Sequence, residues 1–110
     1  MSDMKIAIQV HPNDNWESSQ FHARKLCDSY LTAGDEVVAV FFYGSCSHIA
    51  EHNNSHDWHD WDTSTAPLLV CSTLTQQMNI NPDDHSIFTV TGMARWMQLL
   101  EQADQLVTVP

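Results

Sequence analysis

Cys71 is the residue whose type and position suggest chemistry most directly. It ends the apolar run Pro67–Cys71, which is typical of a buried strand, and Ser72 and Thr73 follow it directly. Either hydroxyl can cap a helix, and the N–H groups at a helix start carry partial positive charge that favours the thiolate form of a cysteine. Ligands of open parallel sheets also bind at the carboxyl ends of strands. The pattern therefore predicts a reactive thiol at Cys71, whereas the alternative is a strand cysteine packed as a small hydrophobe.

A second thiol, Cys46, lies in the polar stretch that follows another predicted strand. That stretch leaves the same edge of the sheet as Cys71, so the two thiols could approach each other, and His48 could act as a base for Cys46. The alternative is a loop cysteine without a role. Cys27 falls on the apolar face of a predicted helix and is expected to pack in the core. Three cysteines are an odd number without scaffold spacing, which predicts free thiols and a cytoplasmic protein.

Four histidines at helical spacing, His48, His52, His56 and His59, are the other group that could do chemistry. Their separations of four, four and three residues would place them on one face of a continuous helix, where pairs four apart can bind zinc. The intervening Asn53–Ser55 is a poor helix centre, however, and no apolar face accompanies the histidines. The segment is therefore interpreted as a solvated loop, and the four histidines are weak candidates for a metal site.

The charge balance excludes several classes of partner. Fourteen Asp and Glu stand against four Lys and Arg, a net charge of −10 with neutral histidines. Such a chain is not expected to bind nucleic acid through its phosphates or to dock on anionic lipid at a membrane. No apolar run reaches the roughly 18 residues of a membrane span, and Met1–Val10 contains no secretory signal. The 110 residues are therefore expected to form one domain, 1–110, in the cytoplasm.

The elements that must position these residues alternate between strand and helix. Strands are predicted at Lys5–Val10, Glu36–Tyr43, Pro67–Cys71, Ile87–Val90 and Leu106–Val109. Helices are predicted from Trp16 to Ala33, from Ser72 or Thr73 to Met78, and from Met93 to Gln102, with a loop over 44–65. Strand–helix–strand units of this length form parallel sheets with right-handed crossovers. The expected fold is a single three-layer α/β/α domain with a largely parallel sheet of about five strands.

Short local signals place the first helix and the loop. Asp14 or Asn15 can cap the helix, and Gly34 stands where a left-handed residue is expected to end it. Within the loop, Trp58 and Trp61 are large apolar side chains spaced three residues apart. We expect these two tryptophans to fasten the loop to the core.

Several stretches, taken in chain order, resemble one known family. They are KIAIQV at 5–10, Gly34–Glu36 leading into Val40–Tyr43, Leu69–Cys71, Phe88–Met93 and Ala103–Val107. Together they span most of the chain and are similar to the DsrE/DsrF-like family of sulfurtransferase subunits, in which the strand matching Leu69–Cys71 ends in the sulfur-accepting cysteine. The chain departs from the family at Gln77–Asn79, where relatives often carry Arg-Arg-Gly. Positive charge is thereby lost near the site, while Asn79 can still adopt the left-handed conformation.

The resemblance implies a DsrE-like sulfur-relay protein, in which Cys71 accepts sulfane sulfur as a persulfide and passes it to a cysteine of a partner. It further implies sulfur donor and acceptor proteins as partners, and homo- or hetero-oligomers of DsrE-like subunits, without a metal or organic cofactor. The alternative is a non-catalytic binding or structural subunit, in which Cys71 is inert and the histidine-rich segment binds metal. The reactivity of the Cys71 thiol at neutral pH separates the two functions.

Overall fold

The structure, a computed structural model, describes residues 4–11, 15–44, 49, 58, 60–77, 79 and 87–109. Its strands are β1 (Lys5–Val10), β2 (Glu36–Phe42), β3 (Leu68–Cys71), β4 (Phe88–Thr91) and β5 (Gln105–Val109), and its helices are α1 (Trp16–Thr32), α2 (Ser72–Gln77) and α3 (Met93–Glu101). The strands and helices occur in the predicted order, and each element begins and ends within one residue of its predicted boundary. Among the described residues, no helix combines the length and apolar character needed to cross a bilayer.

The strands of the described chain form one parallel sheet in the order β4-β3-β2-β1-β5. The chain adds β2, β3 and β4 in one direction from β1, and α3 then carries it back across the sheet to β5 on the other side of β1. Since parallel crossovers are right-handed, this reversal puts α1 and α3 on opposite faces. Ala23 and Cys27 of α1 lie in one core, whereas Trp96 and Leu99 of α3 lie in another. The predicted three-layer α/β/α fold is confirmed.

The larger core lies between the sheet and α1, and it includes two tryptophans from the segment between β2 and β3. Trp58 is fully buried, and its indole N–H donates to the Gln20 carbonyl at 3.3 Å. The indole N–H of Trp61 donates to the Ala66 carbonyl at 3.0 Å, and the two rings meet edge to face with centroids 5.1 Å apart. These contacts confirm that both tryptophans fasten this segment to the core.

Arg24 on α1 covers the two tryptophans on their outer side. Its guanidinium lies 5.7 Å from the ring centroid of Trp58 and 5.1 Å from that of Trp61. The same group forms ion pairs with Asp28 at 3.3 Å and with Asp60 at 2.8 Å. Cation–π contacts and ion pairs near the surface each contribute about 0.5–1 kcal/mol, so Arg24 adds several weak contacts to the burial of the two tryptophans.

Two residues set the ends of α1. Of the two predicted N-caps, Asn15 is the one observed, because its Oδ1 accepts hydrogen bonds from the N–H groups of Glu17 at 3.0 Å and Ser18 at 3.2 Å. Gly34 follows the helix with a φ of 93°, and its N–H donates to the Leu31 carbonyl at 3.1 Å. A side chain would be strained at that φ, which explains the glycine.

Cys27 is fully buried on the core-facing side of α1, as predicted. Burial, reinforced by the neighbouring Asp28 carboxylate, raises the pKa of the Cys27 thiol from 9.0 to about 12. The thiol therefore stays protonated at neutral pH, where a thiolate would be needed for nucleophilic attack. Cys27 is a packing residue of the α1-side core.

Candidate functional site

Cys71 is the last residue of β3 and lies at the carboxyl edge of the sheet, where the sequence places it. Its side chain faces the α3 layer, in a core with Phe41, Leu69 and Trp96. Only 3% of the residue is exposed. Two features that the sequence offers as alternatives therefore occur together, since the thiol stands at the ligand-binding edge of a parallel sheet and is also packed among apolar side chains.

The helix after Cys71 begins without an intervening loop. Because α2 starts at Ser72, Cys71 occupies the position directly before the first helical residue, and Ser72 and Thr73 lie in the first turn. The N–H groups of a first turn have no partner within their own helix. The Thr75 hydroxyl donates to the Ser72 carbonyl at 2.9 Å. The supporting role of Ser72 and Thr73 at the helix start stays a prediction.

A second helix begins beside the same thiol. Cys71 pairs in register with Thr91 on β4, and the next residue, Gly92, is the N-cap of α3. Gly92 is extended (φ −87°, ψ 167°), and a Cβ atom placed on it would lie 4.0 Å from Oγ of Ser72, so the starts of α2 and α3 are neighbours. Because Gly92 has no side chain to cap α3, the N–H groups of that first turn keep their partial positive charge next to Cys71.

Arg95 adds a full positive charge near these helix starts. It is exposed and lies in the first turn of α3. By contrast, Arg24 is held by Asp28 and Asp60 on the opposite side of the sheet. In a chain with a net charge of −10, Arg95 and the two helix starts thus supply positive charge where α3 begins, although Gln77–Asn79 lacks the family's arginine pair. Asn79 has a φ of 55°, the left-handed conformation that its match to the family's glycine predicts.

Two further polar side chains reach the same edge from β1 and β2. Tyr43 directly follows β2, and its N–H donates to the Val10 carbonyl at 2.8 Å. His11 directly follows β1, and its N–H donates to the Val109 carbonyl at 2.9 Å. The imidazole and phenol rings meet edge to face with centroids 5.0 Å apart. The sequence pattern does not select either residue, because only strand register shows that both stand in line with Cys71.

Several predicted site residues lie outside the residues that the structure describes. They are Cys46, His48, His52, His56 and His59. The secondary thiol, its approach to Cys71 and the metal site of the histidine segment therefore stay predictions. Within the described part of the chain, no group of three or more His, Cys, Asp or Glu side chains has the arrangement of a metal site.

A family model covers nearly the whole chain: the model of the DsrE/DsrF-like family matches residues 4–109. The chain belongs to the DsrE/DsrF-like family. Among solved structures, the chain is similar to the ychN protein from E. coli, with a TM-score of 0.75 and 12% sequence identity over 97% of this chain and 99% of the other. At that identity the likeness shows a shared DsrE-like fold. No curated protein matches the sequence.

Proposed function

We propose that this DsrE/DsrF-like protein is a sulfurtransferase, which accepts sulfane sulfur as a persulfide on Cys71 and passes it to a cysteine of a partner protein. The observation that carries the proposal is the position of Cys71, at the carboxyl end of β3 with the starts of α2 and α3 on either side. The DsrE/DsrF-like family is associated with sulfur relay, which supports the proposal. The resemblance of Leu69–Cys71 to the family's strand that ends in the sulfur-accepting cysteine is the reason for assigning this role to Cys71.

The transfer needs only thiol chemistry. The Cys71 thiolate attacks the outer sulfur of a donor persulfide R–S–SH, a new S–S bond forms, the donor S–S bond breaks, and the donor leaves as a thiolate. A partner cysteine then attacks the outer sulfur of the Cys71 persulfide and regenerates the Cys71 thiolate. The Cys71 sulfur thus carries the negative charge before the first step and again after the second, and helix N–H groups beside it stabilise that thiolate as an oxyanion hole stabilises oxygen.

The burial of Cys71 restricts the kind of donor that fits. With 3% of the residue exposed, the thiol is reached by a narrow group such as the terminal sulfur of a persulfide or polysulfide rather than by a bulky molecule. The same burial shields a persulfide on Cys71 from solvent, which suits a carrier that must hold its sulfur until the acceptor arrives. The proposed transfer requires sulfur donor and acceptor proteins as partners. The chain acts as a homo- or hetero-oligomer of DsrE-like subunits in the cytoplasm, where thiols stay reduced.

Sulfur loading followed by transfer tests the proposal. The reduced protein is incubated with inorganic polysulfide, desalted, measured by intact mass and then given a low-molecular-weight thiol as acceptor. We expect a gain of one or more sulfur atoms, its loss to the acceptor, and no gain in Cys71→Ser. Cys46→Ser is the matched control and should load like the wild type.

The outcome also separates the proposal from its alternative. Undiminished loading of Cys71→Ser would overturn the role of Cys71. If the wild type takes up no sulfur under conditions in which a small free thiol does, the chain is a non-catalytic binding or structural subunit instead.

A further inference from the structure

Cys71 stands in a row of polar residues that crosses three neighbouring strands. The last residues of β1 and β2 pair with each other, and the last residue of β2 pairs with Val70 of β3. One position further along the three strands are His11, Tyr43 and Cys71. Because neighbouring strands lie about 4.8 Å apart, the backbone of Tyr43 occupies the middle of the row, one strand away from His11 and one strand away from Cys71.

The three residues share the α3 face of the sheet. Tyr43 and Cys71 both pack in the core on that side. His11 lies an even number of residues after Ala7, which belongs to the same core, and strand residues an even number apart point to one face. The edge-to-face contact of the His11 and Tyr43 rings shows that the first two members of the row touch.

Exposure increases along the row, from the buried Cys71 through the half-buried Tyr43 to the exposed His11. Gly44, directly after Tyr43, has a φ of 63°, and a Cβ atom placed on it would lie 3.5 Å from Cδ2 of His11. This glycine lets the chain turn away from β2 at a φ that a side chain would strain, while the His11 ring lies against its backbone. The row therefore connects the buried thiol with solvent.

We propose that, during sulfur transfer, the Tyr43 hydroxyl hydrogen-bonds the sulfur of Cys71 and that His11, acting through Tyr43, takes up the proton of the thiol. The proposal rests on the sulfur-transfer function proposed above and assigns it two further residues. Tyr43 is the catalytic partner of the sulfur, and His11 is its positioning residue and proton acceptor.

The proton balance of the first transfer is then complete. The phenol accepts the hydrogen of the Cys71 thiol while it donates its own hydrogen to the neutral imidazole, which becomes imidazolium. The Cys71 thiolate attacks the outer sulfur of R–S–SH, and the donor leaves as R–S⁻. The imidazolium proton finally neutralises R–S⁻ through solvent. Thiol and persulfide have become Cys71–S–SH and R–SH, with no oxidant, reductant or other co-reactant.

The charged groups around the row are few among the described residues. The carboxyl ends of β3, β4 and β5 carry no ionisable side chain besides Cys71, and neither does α2. Arg95, in the first turn of α3, is the described cation that lies in a helix start at this end of the sheet. It favours negative sulfur at any pH near neutrality, whereas imidazole changes its charge between roughly pH 5 and 8. A pH dependence in that range that is lost in His11→Gln is therefore the signature of this histidine.

The first test follows the rate at which iodoacetamide alkylates Cys71, measured by peptide mapping so that the other cysteines do not interfere. Tyr43→Phe keeps the ring and removes only the hydroxyl, and Tyr30→Phe on α1 is the matched control. We expect alkylation of Cys71 at neutral pH to slow by about tenfold in Tyr43→Phe and to be unchanged in Tyr30→Phe. A rate for folded Tyr43→Phe within about twofold of the wild type would overturn the role of Tyr43.

The second test is the pH profile of the same reaction, which a purely structural histidine would not shape. We expect the wild type to show an inflection between roughly pH 5 and 8 that His11→Gln removes, while His22→Gln on α1 retains it. His48→Gln tests a histidine of the loop after β2. If the inflection survives in His11→Gln, or disappears in His48→Gln instead, His11 is not the proton acceptor.

The alkylation tests and the sulfur-loading test can fail independently of each other. Loss of the alkylation effects in a protein that loads sulfur on Cys71 would overturn the roles of Tyr43 and His11 and leave the proposed function intact. A protein that takes up no sulfur but shows both alkylation effects would overturn the proposed function, while the coupling of Tyr43 and His11 to the thiol would stand.

Discussion

The two faces of the sheet bury their cysteines in different surroundings. On the α1 side, Cys27 is a residue of that long helix and packs in the larger core, which includes Trp58 and is covered there by Arg24. On the α3 side, Cys71 lies in a smaller core under a nine-residue helix, at the end of a strand and beside two helix starts. Both thiols are almost fully buried, so burial does not distinguish them. The two thiols are distinguished by their position, because Cys71 ends a strand whereas Cys27 lies within a helix.

The two faces of the sheet also differ in the contacts that stabilise them and in the state of their thiols. The α1 side combines many apolar contacts with ion pairs and cation–π contacts of Arg24, and its thiol is held in the protonated form. The α3 side has fewer apolar partners, and Met93 and Met97 on its helix stay exposed. The proposed sulfur-accepting Cys71 thus lies on the face of the sheet that has the smaller core.

Replacing one buried tryptophan on each face should give the largest effect. Trp58 and Trp96 are both buried to within 1%. We expect Trp58→Ala and Trp96→Ala each to lower the free energy of unfolding by about 3–5 kcal/mol, measured by chemical denaturation. In the folded state, only Trp96→Ala should speed the alkylation of Cys71, because Trp96 packs in the core of that thiol. Equal acceleration by both changes would show that the two faces are not separate.

Removing the charge of Arg24 should give a smaller effect that is confined to the α1 side. Arg24→Met keeps an apolar stem but removes the ion pairs to Asp28 and Asp60 and the cation–π contacts. We expect the free energy of unfolding to fall by about 1–2 kcal/mol and sulfur loading of Cys71 to stay unchanged.

Lys25→Met is the matched control for this change. Lys25 neighbours Arg24 in the chain but contacts only the exposed ring of Phe21, at 5.2 Å, among the described residues. Lys25→Met should lower the free energy of unfolding by less than about 0.5 kcal/mol. An Arg24→Met variant as stable as Lys25→Met would contradict the importance of the Arg24 contacts.

Much of the fold could be predicted because its signals are local. The apolar runs that become β1 to β5, the cap at Asn15 and the glycine at Gly34 are each recognisable within a few residues of sequence. The alternation of these elements then leads to a parallel sheet. The position of Cys71 at a strand end followed from the same local pattern.

The rest of the site depends on strand order and register, which no local pattern contains. The alignment of His11, Tyr43 and Cys71 requires β1, β2 and β3 to be neighbours in the observed register. The approach of Gly92 to Ser72 requires β4 to pair with β3. The burial of Cys71 is likewise a tertiary property, since it depends on how α3 returns across the sheet.

The most direct measurement compares the two buried thiols in one experiment. The native wild-type protein is incubated with inorganic polysulfide, trapped by alkylation in denaturant and mapped by mass spectrometry, so that sulfur on Cys27 and on Cys71 is quantified in the same sample. We expect added sulfur on Cys71 and none on Cys27, although both residues are at most 3% exposed. Equal loading of the two thiols, or loading of Cys71 only after unfolding, would contradict a sulfur-accepting site at the carboxyl edge of β3.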